Sequence, residues 1–178
     1  MSILFRYTPG VGRVAAIDCC GANGTNLTGT TASIYSTSSQ TLVAGTAANI
    51  AHDSAFFTYG GITFVAGANG YLKVPATGVY KVIPSIQYLT AGNGTLRIWV
   101  KVNGNSVPDS ATLLNTTNNS QGVFTTELLL ELNANDQVQF WGLAGSHDCV
   151  VTYLSGGGSG ANAYPAAPGV ITNMYRIR

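Results

Sequence analysis

The chain has 178 residues, enough for one domain with a sizeable core. Only 8% of them are charged, against about 25% in an ordinary soluble domain, and the net charge is +1. The basic residues (Arg6, Arg13, Lys73, Lys81, Arg97, Lys101, Arg176, Arg178) are scattered, which excludes the clustered footprint of direct nucleic-acid binding, and no apolar run reaches the ~20 residues of a membrane-spanning helix.

So little charge keeps copies of a chain apart only weakly. With Gly, Ser, Thr and Asn filling the polar positions, much of the surface is expected to meet other protein. A monomer solvated by hydroxyls and amides is the alternative.

Residues 1–45 are poor in large apolar side chains, apart from short clusters at Ile3 to Phe5 and Val14 to Ile17. This pattern predicts an extended N-terminal arm that orders only against a partner, with Phe5 as a candidate contact; an unattached tail fits equally well. Met1-Ser-Ile-Leu-Phe-Arg6 lacks the basic and apolar regions of a signal peptide, so synthesis in the cytosol is expected. Cys19, Cys20 and Cys149 make no disulfide framework and no zinc spacing, and are read as free thiols.

Beyond the arm, residues 46–178 read as one β domain. Tyr80, Val82, Ile86 and Tyr88 fall at alternate positions of one run, as do Leu96, Ile98, Val100 and Val102 between Arg97, Trp99 and Lys101, and then Phe124, Thr126, Leu128, Leu130 and Leu132, with Glu127 and Glu131 opposite. Period 2 places each set on one face of a strand. Pro84 predicts an edge or a bulge in the first of these runs. Further strands are expected at 46–52, 61–66, 70–75, 106–113, 137–143, 148–154 and 170–177. Asn69-Gly70, Asn93-Gly94 and Asn103-Gly104 predict hairpins, because both residue types tolerate positive φ. Gly156 to Gly160 predicts a long mobile loop. The fold class is therefore all-β, a single jelly-roll sandwich of about ten antiparallel strands.

Three stretches carry a family resemblance: Gly70-Tyr-Leu-Lys-Val-Pro-Ala-Thr-Gly-Val-Tyr80, Ile98-Trp-Val-Lys-Val-Asn-Gly104 and Leu128-Leu-Leu-Glu-Leu-Asn-Ala-Asn-Asp-Gln-Val138. With the closing Pro168-Gly-Val-Ile-Thr-Asn-Met-Tyr175, the chain from about residue 70 onward resembles the tumour-necrosis-factor-like jelly-roll superfamily, which includes the globular heads of complement proteins. Gly78-Val-Tyr-Lys-Val82 with Ser85, Gln87 and Ser110 is similar to the form found in phages and large DNA viruses. The resemblance implies a compact homotrimer used in virion shells, vertices or fibres. It also implies an aromatic trimer axis, for which Tyr80, Tyr88, Phe124, Phe140 and Tyr175 are the candidates, a role in the core being the alternative. Asn135 stands where the family usually has glycine, and tolerates the same left-handed backbone.

The sequence offers little for catalysis. His147-Asp148-Cys149 holds a base, an acid and a nucleophile, but on a strand His147 and Cys149 share a face that Asp148 opposes, and a triad must converge. Glu127 and Glu131 lie ~13 Å apart on one strand, too far for paired-carboxylate glycoside hydrolysis. His52-Asp53 is a candidate pH or metal pair, or simply a polar strand end. The acidic residues lack calcium-loop spacing, and no catalytic, metal or cofactor site is expected. Trp99 shares a face with Arg97 and Lys101, so Trp99 and Arg97 are candidate partner contacts, unless the indole packs on a second sheet or beneath the arm.

The expected function is thus a virion structural protein, a minor capsid, vertex (penton) or spike component made in the host cytoplasm. It would self-assemble as a trimer or a pentamer and dock on other capsid proteins through residues 1–45. The alternative is a spike or fibre head binding a host receptor or glycan through loops at 89–95, 114–121 and 155–164.

Overall fold

A computed structural model describes residues 29–178. In chain order the strands are β1 (Thr31–Ser36), β2 (Gln40–Leu42), β3 (Ala48–Asn49), β4 (Ser54–Tyr59), β5 (Thr63–Val65), β6 (Tyr71–Lys73), β7 (Gly78–Thr90) and β8 (Gly94–Val102). They continue with β9 (Asn105–Ser106), β10 (Thr112–Thr116), β11 (Gln121–Thr125), β12 (Leu128–Leu132), β13 (Gln137–Ala144), β14 (Cys149–Val151) and β15 (Val170–Arg176). The one helical piece among the described residues is a single turn at Gly160–Asn162.

All pairing is antiparallel, in two sheets. Several strands are segments of one lane. β11 and β12 pair with β7 in a single register, Gln121 opposite Leu89 through to Leu132 opposite Gly78. β14 and β15 follow one another along the other side of β7, and β2 and β1 follow one another beside them. Sheet A therefore has five lanes, β4, β1/β2, β15/β14, β7 and β11/β12. Sheet B likewise has β5, β6/β3, β13, β8 and β10/β9. From β6 onward the chain crosses repeatedly between the sheets, which is the winding of a jelly roll, and the ten lanes meet the ten strands expected.

Alternation builds the core. Tyr80, Val82 and Ile86 of β7 face Leu96, Ile98 and Val100 of β8 and Val138 and Phe140 of β13, all between the sheets and essentially without exposure. Each such side chain contributes about 1.5–3 kcal/mol by leaving water.

Four expectations need correction. β7 is an inner strand, not an edge. Pro84 is tolerated there because its carbonyl accepts from Thr126 N–H at 3.2 Å, while its missing N–H falls where β11 gives way to β12. Of the three Asn-Gly pairs only Asn103-Gly104, with φ of 52° and 82°, forms a two-residue hairpin, joining β8 to β9. Asn93-Gly94 lies on the crossover from sheet A to sheet B, and Asn69-Gly70 ends a longer loop whose positive φ is at Gly67. Gly156 to Gly160, expected as a long mobile loop, lies in a segment bridged at Leu154–Ala167 and Gly157–Tyr164. Gly156 is required there, since a Cβ would lie 2.9 Å from the backbone Ala166 N and Tyr164 O. Finally, β1 and β2 lie within the stretch expected as an arm but are hydrogen-bonded into sheet A. Among the described residues the first strand thus begins at Thr31, and Phe5, Cys19 and Cys20 lie outside them.

Candidate partner surfaces

The sandwich presents two outward faces of different chemistry. On sheet B, the parity that buries Leu96, Ile98 and Val100 turns Arg97, Trp99 and Lys101 outward, and on β13 it turns out Gln137, Gln139, Trp141 and Leu143. The β8–β13 register sets Trp99 directly opposite Trp141 and Lys101 opposite Gln139. The two indoles lie 6.4 Å apart between centroids, tilted at 35°. The Lys101 ammonium sits 3.5 Å from the centroid of the Trp141 ring, a cation–π contact. Trp99 Nε1–H donates to Ser106 Oγ at 3.1 Å. Trp141 Nε1–H is buried and has no acceptor, an arrangement that costs about 1–3 kcal/mol.

Lys73, opposite Gln137 on β6, adds a third cation to this face. The only ion pair among the described residues is Lys81–Glu127, at 2.7 Å on sheet A, so Lys73, Arg97 and Lys101 have no carboxylate partner. Trp141, absent from the candidates read in the sequence, was legible only in part. Its parity against Val138 and Phe140 turns it outward, but its place opposite Trp99 depends on which strands pair.

Sheet A turns a different set outward. Leu129 and Val123 on the β11/β12 lane are 63% and 65% exposed, and Tyr59 and Phe56 on the opposite edge 57% and 58%. Between them lie Ile83, Ile171, Tyr35 and Tyr175. Tyr35 stacks on Phe56 at 4.2 Å, and Phe57 lies 5.5 Å from Tyr59. The register shift between Ser33 and Ile34 leaves Phe56 as the extra residue of a β-bulge. That bulge broke the alternation and hid β4 from the sequence. The bridged segment 153–168 interrupts the β14/β15 lane and is held at its base by Tyr153 N–H to Ser39 Oγ and Gly169 N–H to Ser36 O.

The other candidates fall as follows. Tyr80 and Phe140 are buried between the sheets, and Tyr88 and Phe124 pack against the same core. Their parity points them between the sheets, where they serve the core. Only Tyr175, 39% exposed, faces outward.

His147, Asp148 and Cys149 serve three separate contacts. His147 Nδ1 lies 2.9 Å from Asn93 O, Asp148 accepts from Ala44 N–H at 2.8 Å, and Cys149 is buried in the core. Burial pushes the Cys149 thiol up to about 11, leaving it unreactive near neutrality. The loops around residues 93 and 118 are tied together by Asn118 N–H donating to Asn93 Oδ1 at 2.9 Å.

His52 lies beneath β15, with Nε2 2.9 Å from Thr172 Oγ1 and its ring edge-on to Phe140. Desolvation lowers it to about 4, only partly offset by the Ile50 backbone and the charge of Asp53. For Asp53, partial burial works to raise the carboxyl, but hydrogen bonds from the Thr37 backbone, Ser54, Thr37 and Ser36 outweigh it and hold the group below its ordinary value. The cavity beside His52 is about 10 Å³, far smaller than the ~300 Å³ of a small-molecule site.

No family model and no curated protein matches the sequence. Among solved structures, the chain is similar to the globular domain of zebrafish complement 1qA protein, with a TM-score of 0.54 and 14% identity over 84% of this chain and 98% of that one. It is also similar to Eiger TNF from S. frugiperda, with a TM-score of 0.58 and 13% identity over 85% and 94%. The fold is thus the jelly roll shared by those proteins.

Proposed function

We propose that this chain is a structural component of a virus particle, assembling with copies of itself through the outer face of sheet A and performing no chemistry of its own. The observation that carries the reading is that face. It exposes Leu129, Val123, Phe56 and Tyr59 among the neutral Ser85, Gln87, Thr125 and Asn173, and its charges amount to the Lys81–Glu127 pair and Glu131, in a chain that is 8% charged. Contiguous exposed apolar surface on a soluble domain marks an interface, and a closed ring of copies covers it on every subunit. The resemblance of residues 70–178 to viral jelly rolls favours three copies and a place in a shell, vertex or spike. Residues 1–28 are then the segment left to dock on neighbouring capsid proteins.

A receptor- or glycan-binding head is the second reading, and the cationic Trp face of sheet B is what favours it.

The test is native mass spectrometry of the full chain at micromolar concentration, followed by assembly into particles with and without residues 1–28. The truncation must stop there, because β1 and β2 belong to sheet A. A mass of three copies and poor incorporation of the truncated chain are expected. A monomer, or equal incorporation of both chains, would overturn the reading.

A further inference from the structure

We propose that the outer face of sheet B binds an acidic polysaccharide, a linear chain of carboxylate-bearing pyranoses lying along β8. Arg97, Trp99 and Lys101 form one row on that strand, the backbones of the two cationic residues ~13 Å apart and an indole between them. Trp141 and Gln139 form the neighbouring row, directly opposite Trp99 and Lys101. Lys73 stands beyond them across β13.

Charge complementarity selects the partner. Three cations share the face without a carboxylate partner among the described residues, so its field attracts an anion. The segment 1–28 is a poor occupant, since it carries Arg6 and Arg13 against Asp18 alone. The remaining groups suit a sugar. Indole faces pack against the C–H faces of pyranose rings, and the neutral amide of Gln139 matches hydroxyls. The spaced row of cation, indole and cation fits a repeating ligand better than a single small anion.

Single-stranded nucleic acid is the weaker match. Its affinity grows with the number of phosphates neutralised, and three cations neutralise few. This site lies on the sheet opposite the proposed assembly face, so native mass tests one and sugar binding the other.

The experiment titrates the full chain with polygalacturonate, with its fully methyl-esterified form and with oligo(dT), reading indole fluorescence and calorimetric heat. Polygalacturonate should bind and change the Trp emission. The ester, with the same backbone and no charge, should bind about tenfold or more weakly. The Arg97→Gln, Lys101→Gln double variant should lose about tenfold in affinity, and Trp99→Ala should lose it as well, with circular dichroism and native mass unchanged. Absence of polygalacturonate binding, equal binding of the ester, tighter binding of oligo(dT), or indifference to all three substitutions would each overturn the proposal.

Discussion

The two outward faces of this sandwich are built by one rule and differ in their chemistry. In both sheets alternate residues leave the core. On sheet A the outward set is Leu129, Val123, Ile83, Tyr175 and the Tyr35/Phe56/Phe57/Tyr59 cluster, and its one described cation–carboxylate pair is internal. On sheet B it is Trp99, Trp141, Gln139 and three cations without a described carboxylate partner, with Leu113 and Leu143 on either side of Arg97. The difference teaches that strand alternation fixes where the core is and leaves the outer parity free. One fold can therefore give one face to self-association and keep the other for a charged partner.

The sharpest way to break the comparison is to exchange the character of one face. Leu129→Glu with Val123→Glu puts two carboxylates on the β11/β12 lane beside the existing Glu127 and Glu131. It should dissociate the assembly to monomers, because burying unpaired charge in an interface costs several kcal/mol. Both residues are exposed in the single chain, so its circular dichroism should be unchanged. Trp99→Ala, on the other face, should leave native mass as it is. A double variant that still assembles would move the interface off sheet A.

Next in size is the layer between the faces. Folded His52 takes a proton only near pH 4, whereas the unfolded residue takes one near 6.5. Between those values the unfolded chain binds more protons, so stability is full above pH 6.5 and falls as pH drops toward 4. The loss is about 3 kcal/mol, to be read from urea midpoints across that range. His52→Gln should flatten this part of the profile. Asp53, held below its ordinary value, adds a further loss at lower pH.

The smallest effect separates charge from stacking on sheet B. Lys101→Met keeps the aliphatic stem over Trp141 and removes the cation–π term, worth about 0.5–1 kcal/mol at an exposed site. Thermal melts should shift by no more than that, while Trp emission moves as the ammonium leaves the ring.

Much of this is legible in the sequence. The outward placing of Trp99 and Arg97 followed from period 2, as did the core positions of Leu96, Ile98, Val100, Leu130 and Leu132. Asn103-Gly104 was read as a hairpin from its φ tolerance alone. What escaped did so for nameable reasons. The aromatics of β4 were obscured by the bulge at Phe56. β1 escaped because Thr31-Ala-Ser-Ile-Tyr-Ser36 is short and rich in small polar residues. Pro84 misled because a missing N–H matters only if a partner carbonyl needs it, and here β11 and β12 part at that place.

By itself the sequence determined the fold class, the identity of most core residues and the poverty of charge, since these follow from local alternation and composition. The tertiary structure decided which strands lie side by side. That alone set Trp141 against Trp99 under the ammonium of Lys101, and gathered Leu129, Val123 and the β4 aromatics onto one face. Cross-strand neighbours distant in sequence are fixed by register and sheet order, and neither is encoded in the spacing of any single segment.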